Sequence, residues 1–423
     1  MAGGTSVVGR FRWIICTVLL LGVTKNYMDR LAIGVLKDTL QHQLGWSEID
    51  YGNLVVAFTV SYAAGMVVLG RVVDWVGTRA GYAISMITWS LAAMAQGVVT
   101  SLGAFIAARA VLGFGEAGVF PASIKAVAEW FPRKERALAV GIFNAGTNVG
   151  AIVTPLVVPW ITLRFGWRWT FVLLGGVGLV WLIVWQWIYR VPAEHPRCSS
   201  RELAYIQSDP IDPPSRVGWF SLLRHRQTWA FVMGKFISDP IWYFYLFWIP
   251  DFLQKKHGLA LLQLGLPLVV IYLLADMGSI AGGWLSSSLI RRGYTVNRSR
   301  KTAMLACAIC VVPIMLAPRV SSLWTAVLLI GLATAAHQGF SSNLLTLPSD
   351  MFPGKAVASV VGLGGMGGAL GGFMIAKIVS YILQWTGSFA LPFLMAGTAY
   401  MFGLLVIHLW APRLEKATLE VAQ

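Results

Sequence analysis

The sequence predicts an all-α integral membrane protein in which twelve transmembrane helices form two pseudo-symmetric six-helix bundles. Three observations predict it. Of the 423 residues, 57% are hydrophobic and only 12% charged, with mean hydropathy +0.68, whereas soluble domains carry about 25% charged residues. Apolar runs of spanning length recur twelve times, and one polar stretch, Pro192 to Gln227, parts six of them from six.

A span needs about 17–25 apolar residues. Runs of that order occupy roughly 13–36, 51–71, 80–99, 103–129, 137–160 and 169–189, then roughly 228–253, 264–290, 302–318, 322–347, 356–380 and 388–410. Arg10 and Arg12 precede the first run with no small-residue cleavage site, so it reads as a retained span and not a signal peptide. The organisation that follows is an N-terminal bundle over 1–190, a cytoplasmic linker over 191–227 and a C-terminal bundle over 228–423. Basic residues gather in alternate loops: Arg71 and Arg79; Arg133, Lys134 and Arg136; Arg190 to Arg226; Arg291 to Lys301. The opposite loops hold mainly Lys37, Arg164, Arg168, Lys255, Lys256 and Arg319. By the positive-inside rule both termini are cytoplasmic, and we expect a monomeric multi-pass protein of the inner (plasma) membrane. The same placement turns the net charge of +15 away from nucleic acid and towards the bilayer.

Neither cysteines nor glycines suggest a cofactor. Cys307 and Cys310 form a C-x-x-C inside an apolar run without further ligands, so packing is expected of them and not metal or redox chemistry. The glycines between Gly362 and Gly372 lack the Lys-Ser/Thr of a phosphate loop and predict close helix packing and a bending point. No motif for nucleophilic, metal or nucleotide chemistry appears, so no enzyme is expected.

Two stretches put charge at membrane depth: Asn26 to Arg30 in the first run, and Arg109 to Glu116 in the fourth. Each such charge costs roughly 2.5–3.5 kcal/mol on insertion scales and needs a partner or a wet cavity. Arg109 and Glu116 are seven apart, about two turns, so both project from one helix face. Burial favours the neutral acids of Asp29 and Glu116, and a nearby arginine favours their carboxylates. A substrate anion competing with Asp29 or Glu116 for one arginine would therefore couple binding to protonation. The alternative is a set of static ion pairs that orient the helices, with Arg109 the first candidate for that role.

Particular motifs bring a resemblance. The loop Gly70-Arg71-Val72-Val73-Asp74-Trp75-Val76-Gly77-Thr78-Arg79 resembles the G-x-x-x-D-x-x-G-[RK]-[RK] signature of the major facilitator superfamily, with Thr78 replacing one basic residue. The resemblance implies a cytoplasmic latch of Gly70, Asp74 and Arg79. Aligning Gly70 with Gly283 places Ser287 where the acid would be, so a second latch should be weaker. N-Y-x-D-R in the first span, R-x-x-x-G-x-x-E-A-x-x-F-P-A from Arg109 to Ala122, and Phe143 to Gly150 resemble the anion:cation symporter family. That family moves organic anions, usually with protons and without a cofactor. The likeness assigns Tyr27 and Arg30 to substrate, with Tyr62 and Asn148 beside them, and Asp29 and Glu116 to the proton, with Arg109 in support.

The seventh span opens on Lys235 to Tyr245, and the tenth carries Ala336-His337-Gln338-Gly339-Phe340-Ser341-Ser342-Asn343. Both resemble hexuronate transporters, with Phe340 where their pattern has tryptophan. The resemblance implies import of glucuronate and galacturonate with protons. The alternatives are a same-fold symporter for an aldonate, aldarate or aromatic acid, and an anion exporter. Gln338, Ser342 and Asn343 suit sugar hydroxyls or interhelical bonding; His337 is a hydroxyl donor, a titrating switch or a packing residue. Lys235, four residues before Asp239, is a second cation for the substrate or an intrahelical partner.

Overall fold

The computed structural model describes the backbone of residues 9–208, 222–352 and 354–417. It is helical throughout. The N-terminal half comprises α1 (Phe11–Val35), α2 (Lys37–Leu44), α3 (Glu48–Val76), α4 (Thr78–Val98), α5 (Leu102–Glu116), α6 (Val119–Trp130), α7 (Arg133–Asn144), α8 (Gly146–Phe165) and α9 (Trp167–Ile188). After α10 (Ser200–Ile206) come α11 (Arg226–His257), α12 (Gly265–Arg291), α13 (Val296–Val311), α14 (Leu323–Met351), α15 (Gly354–Thr386) and α16 (Ala390–Trp410).

Each predicted span has its helix. The fourth and fifth are broken, α5 from α6 at Ala117 and Gly118, and α7 from α8 at Ala145. Glycines 113, 115 and 118 weaken the helix at the first break, each costing about 1 kcal/mol against alanine. Among the described residues nine helical stretches are long and apolar enough to cross a membrane, with α5–α6 and α7–α8 counting once each. The other three spans are α1, α4 and α11. Two of these carry charge in mid-helix, Lys25, Asp29 and Arg30 in α1, Lys235 and Asp239 in α11; α4 is diluted by Ser, Thr and Gln.

The chain folds into two compact units that are not continuous in sequence. One holds Met1–Ala32, Ser61–Thr154 and Ile161–Pro213; the other holds Ile33–Val60, Pro155–Trp160 and Pro214–Gln423. The division cuts α1 after Ala32, α3 after Val60 and α8 on both sides of Pro155–Trp160, so the second unit includes pieces of helices from the first half of the sequence.

In the first unit α4 packs on α5 and α9. A column of rings, Tyr82, Trp181, Trp185 and Tyr189, fills the α4–α9 seam, with Trp185 and Tyr189 stacked at 4.2 Å. Part of the segment expected to be linker docks here. Glu202 of α10 accepts from the N–H groups of Phe11 (3.3 Å) and Arg12 (3.1 Å), so a carboxylate satisfies orphan donors at the start of α1. Arg12 also pairs with Glu202 (3.2 Å) and Glu135 (2.8 Å), and the Tyr205 hydroxyl donates to Glu135 (2.8 Å). Nearby, His195 accepts from the Arg197 N–H through Nδ1 and donates Nε2–H to the Ile188 carbonyl. Burial, with Arg190 and Arg197 close by, holds this imidazole below its ordinary value.

In the second unit α12 lies on α14, and α11 on α15. Small residues set both distances. A Cβ on Gly278 or Gly282 would meet the backbone of Ala335 or Gly339, so α12 and α14 touch main chain to main chain. On α15, Gly364, Gly367, Gly368 and Gly371 face Phe231, Val232, Asp239 and Phe236 of α11, while Gly362 and Gly365 face open space. The glycine run is thus a packing stripe, and the helix continues unbroken through it.

Gly282→Val should force α12 and α14 apart and cost about 1–3 kcal/mol. Thermal unfolding followed by tryptophan fluorescence in detergent should show a lower Tm, whereas Gly362→Ala should leave Tm unchanged or raise it. Equal behaviour of the two variants would contradict this packing.

Candidate functional site

The first unit buries five charges around one point. On α1, Lys25 and Asp29 form an ion pair across one turn, and Lys25 also donates to the Ser90 hydroxyl (3.4 Å) beneath the ring of Trp89 (5.2 Å). One residue further, Arg30 donates from Nε (3.1 Å) and reaches from its terminal nitrogen (3.1 Å) to the same oxygen of Glu116, at the last position of α5. The Asn26 side-chain oxygen accepts from Arg30 at 3.5 Å. Rings of Tyr27 and Tyr62 lie 4.9 and 4.6 Å from the Arg30 guanidinium carbon. Arg109 is fully buried and within electrostatic reach of both carboxylates.

Local sequence explains the convergence. The i, i+4 spacing stacks Lys25 on Asp29 and Asn26 on Arg30. Glu116 closes α5, just before the turn at Ala117 and Gly118 that parts it from α6. At Gly150 the start of α8 rests against Thr24 and Tyr27, where a larger residue would collide. Asn148 is half-buried at the same end of α8, its side-chain oxygen accepting from Thr147 (3.2 Å).

The structure thus brings together Tyr27, Asp29, Arg30, Tyr62, Arg109 and Glu116, and adds Lys25. Sequence reading put Asp29 beside an arginine, but its direct partner is Lys25. The signal was available: a lysine one turn before the acid in the same apolar run. Three cations, Lys25, Arg30 and Arg109, are thus gathered with the two carboxylates of Asp29 and Glu116.

In the second unit Lys235 pairs with Asp239 at 2.7 Å. Trp242 stacks on His337 (4.9 Å, interplanar 7°), and the His337 Nδ1 shares a hydrogen bond with the Tyr400 hydroxyl (2.6 Å). Phe340 presents its ring to Tyr400 at 5.3 Å. Two candidate hydroxyl readers serve the packing: Asn343 donates to the carbonyls of Gly282 and Gly339 (2.9 Å each), and Ser342 to those of Gly339 (3.0 Å) and Ser279 (3.4 Å). Gln338 is half-buried on the same helix.

Of the expected latch, Gly70 faces open space, and Arg79 donates to the Gln186 carbonyl while its own carbonyl accepts from Trp185 (3.1 Å). The Asp74 side chain lies outside the described residues. In the second unit Arg300 pairs with Asp350 (3.1 Å) and donates to Ser286 (2.9 Å), the residue before Ser287.

A second charge cluster went unrecognised in the sequence. Lys37 of α2 is fully buried, 2.5 Å from Asp251 of α11 and 2.7 Å from Glu48 of α3. Lys255 completes it at 2.5 Å from Glu48 and 3.2 Å from Asp251. Lys37 and Lys255 had read as loop charges, because each stands at the edge of an apolar run. All four belong to the second unit. Among the described residues no group of three or more His, Cys, Asp or Glu is placed to hold a metal ion.

The family profile of the Major Facilitator Superfamily matches residues 19–376. The hexuronate transporter of Escherichia coli (strain K12) is 31% identical over 97% of this chain and 96% of its own length. A D-galactonate transporter of Escherichia coli O6:H1 is 30% identical over 90% of this chain and 91% of its own. Among solved structures, a bacterial homologue of the human lysosomal transporter Spinster superposes with TM-score 0.73 over 96% of both chains, at 17% identity, a likeness of fold.

Removing one partner of a buried ion pair costs about 3–5 kcal/mol, because the other charge stays uncompensated. Lys37→Met should therefore lower Tm sharply in detergent, and adding Asp251→Leu to it should recover most of the loss. Additive effects of the two substitutions would show that the pair is not coupled.

Proposed function

The chain belongs to the Major Facilitator Superfamily and is a transporter, not an enzyme, and from that premise we propose that it imports hexuronates, such as glucuronate and galacturonate, together with protons by alternating access. The observation that carries this reading is Arg30, a buried cation flanked by two tyrosines and held by a carboxylate that a substrate carboxylate can replace. A guanidinium offers a planar fork to a carboxylate. Tyr27 and Tyr62 confine that plane and carry hydroxyls suited to the sugar.

Exchange of partners couples the two ions. When a uronate takes Arg30, Glu116 is left buried without its closest counter-charge, a costly state that a proton relieves. When the uronate leaves, Arg30 recaptures Glu116 and the proton is released. Asp29 with Lys25 is a second acid–cation pair that the same logic reaches through Arg109. In the second unit His337, Tyr400, Trp242 and Gln338 are the candidates for reading hydroxyls, and the substrate has Lys235 to compete for with Asp239.

A second reading, a transporter of an aldonate, is favoured by the relative named for D-galactonate, which matches nearly as well as the hexuronate relative. Both substrates are monoanions, so charge does not separate them. Uptake of labelled glucuronate into proteoliposomes, driven by an inward proton gradient and competed by galacturonate, galactonate and glucarate, decides the matter. The proposal expects the two uronates to compete best; absence of uronate competition overturns the substrate, and absence of gradient-driven accumulation overturns the direction or the coupling.

Glu116→Gln should abolish accumulation against a gradient while counterflow exchange continues, since the neutral amide imitates the protonated acid. Equal loss of both would make Glu116 structural. Arg30→Lys should weaken binding about ten- to a hundredfold, the worth of one charge-assisted hydrogen bond at about 1.5–3 kcal/mol, read as a shift in the half-saturating substrate concentration for counterflow.

A further inference from the structure

A cavity of about 510 Å³ opens where α11 begins and the chain leaves α16. Arg224, Arg226 and Arg413 line it, with one carboxylate, Glu415, among them. Arg413 lies 3.8 Å from Glu415, and both are exposed. Arg224 and Arg226 are exposed and form no ion pair among the described residues. Among the described residues the cavity's lining therefore keeps a positive excess, three arginines to one carboxylate, in a volume within the range of small-molecule sites, about 300–1,000 Å³.

Its walls are held in place. Lys301 donates to the carbonyls of Ala411 (2.6 Å) and Pro412 (2.8 Å), which satisfies the end of α16 and keeps those acceptors from facing an anion. The Ala417 N–H bonds the Met351 carbonyl at 2.8 Å and fixes the chain beyond. On the other wall, the N–H groups opening α11 point the positive end of a 32-residue helix to the same place, and its N-cap, His225, supplies no side-chain bond to them.

The surroundings say what kind of anion belongs there. Trp229 and Trp410 have ring centroids 6.3 Å apart beside the cavity, and both are partly exposed. Tryptophan favours the boundary between headgroups and hydrocarbon. Away from the cavity along α16, Leu409, Leu405 and Phe402 expose 67%, 53% and 59% of their surface, an apolar track of the kind acyl chains cover. A phosphate over the arginines and two chains along that track satisfy both halves of the surface.

We propose that this cavity binds the phosphate-bearing headgroup of an anionic phospholipid. Arginine suits phosphate because its fork donates two parallel bonds. The site is separate from the buried charges of α1 and α5, and its occupant is a resident of the membrane, not cargo.

The test uses the purified full-length transporter in mild detergent, with native mass spectrometry as the readout. Phosphatidylglycerol and phosphatidylcholine with matched chains are added in turn, and phosphatidylglycerol again in the presence of millimolar inorganic phosphate. Phosphatidylglycerol should be retained preferentially. The triple variant Arg224→Gln/Arg226→Gln/Arg413→Gln should reduce that retention about a hundredfold, at about fivefold per arginine. A charge-matched variant elsewhere, Arg291→Gln/Arg292→Gln/Arg298→Gln, should retain it. The single variant Arg413→Gln, which removes the least charge, should give a partial loss if the triple variant fails to fold. Equal retention of the two lipids, or equal effects of the two triple variants, overturns the site. Displacement of the lipid by inorganic phosphate alone assigns the cavity to free phosphate and overturns the lipid.

Discussion

The ion pair between Arg30 and Glu116 is the constraint to which the first unit is fitted. A buried pair recovers its desolvation cost only with close geometry and further hydrogen bonds, and much of the neighbouring structure supplies them. Asn26 adds an acceptor, Tyr27 and Tyr62 cover the guanidinium, and the end of α5 at Glu116 lets the acid reach across to α1. Gly150 lets α8 settle against the same turn of α1. The features that weaken these helices as helices, glycines, a break and charge in mid-span, are those that let the pair form. A functional membrane site is expected to violate local propensity in this way.

The two halves of the sequence share a device at their first long helices. Lys25–Asp29 on α1 and Lys235–Asp239 on α11 are both lysine–aspartate pairs one turn apart. Their order, with the cation nearer the helix N-terminus, is the weaker one for an isolated helix, so helix stability does not account for them. In each unit the pair sits near aromatic rings: Trp89 by Lys25, and Trp242, stacked on His337, about two turns beyond Lys235 on the same helix. Such pairs neutralise each other at rest and can be divided by an anion or a proton.

Most of the architecture was legible in the sequence, and the reasons are physical. Spanning helices need unbroken apolar length, so twelve runs and a polar interval were visible, and intramembrane charge marked Asp29, Arg30, Arg109 and Glu116. What could not be read was pairing. Asp29 looked equally near Arg30 in sequence, but side chains at i and i+1 diverge by about 100° around a helix, and Lys25 at i−4 is its neighbour in space. The fourth- and fifth-span breaks escaped because hydropathy continues through them. Asn343 and Ser342 were ambiguous for a different reason. A short polar side chain on a crowded helix can face a cavity or a neighbouring carbonyl, and only the approach of α12 at Gly278 and Gly282 settles which carbonyls are in reach.

The Lys37 cluster shows why charge at the edge of a span is the hardest to interpret. Lys37 and Lys255 counted as loop residues under a rule that concerns topology, not contact. In the folded chain they and the acids Glu48 and Asp251 form four mutual ion pairs, two cations against two carboxylates, with Lys37 and Asp251 wholly buried and Lys255 partly open. In a balanced cluster of this kind each cation has two carboxylates and each carboxylate two cations. Opening it exposes four charges to water, which recovers hydration and loses Coulomb attraction, so the net difference is much smaller than either part. An arrangement with large opposing terms and a small difference can be closed in one state and open in another without a deep trap on either side. The Lys37 cluster is balanced within itself, whereas around Arg30 two cations besides it, Lys25 and Arg109, share the carboxylates of Asp29 and Glu116, so the two clusters answer differently to the loss of one partner.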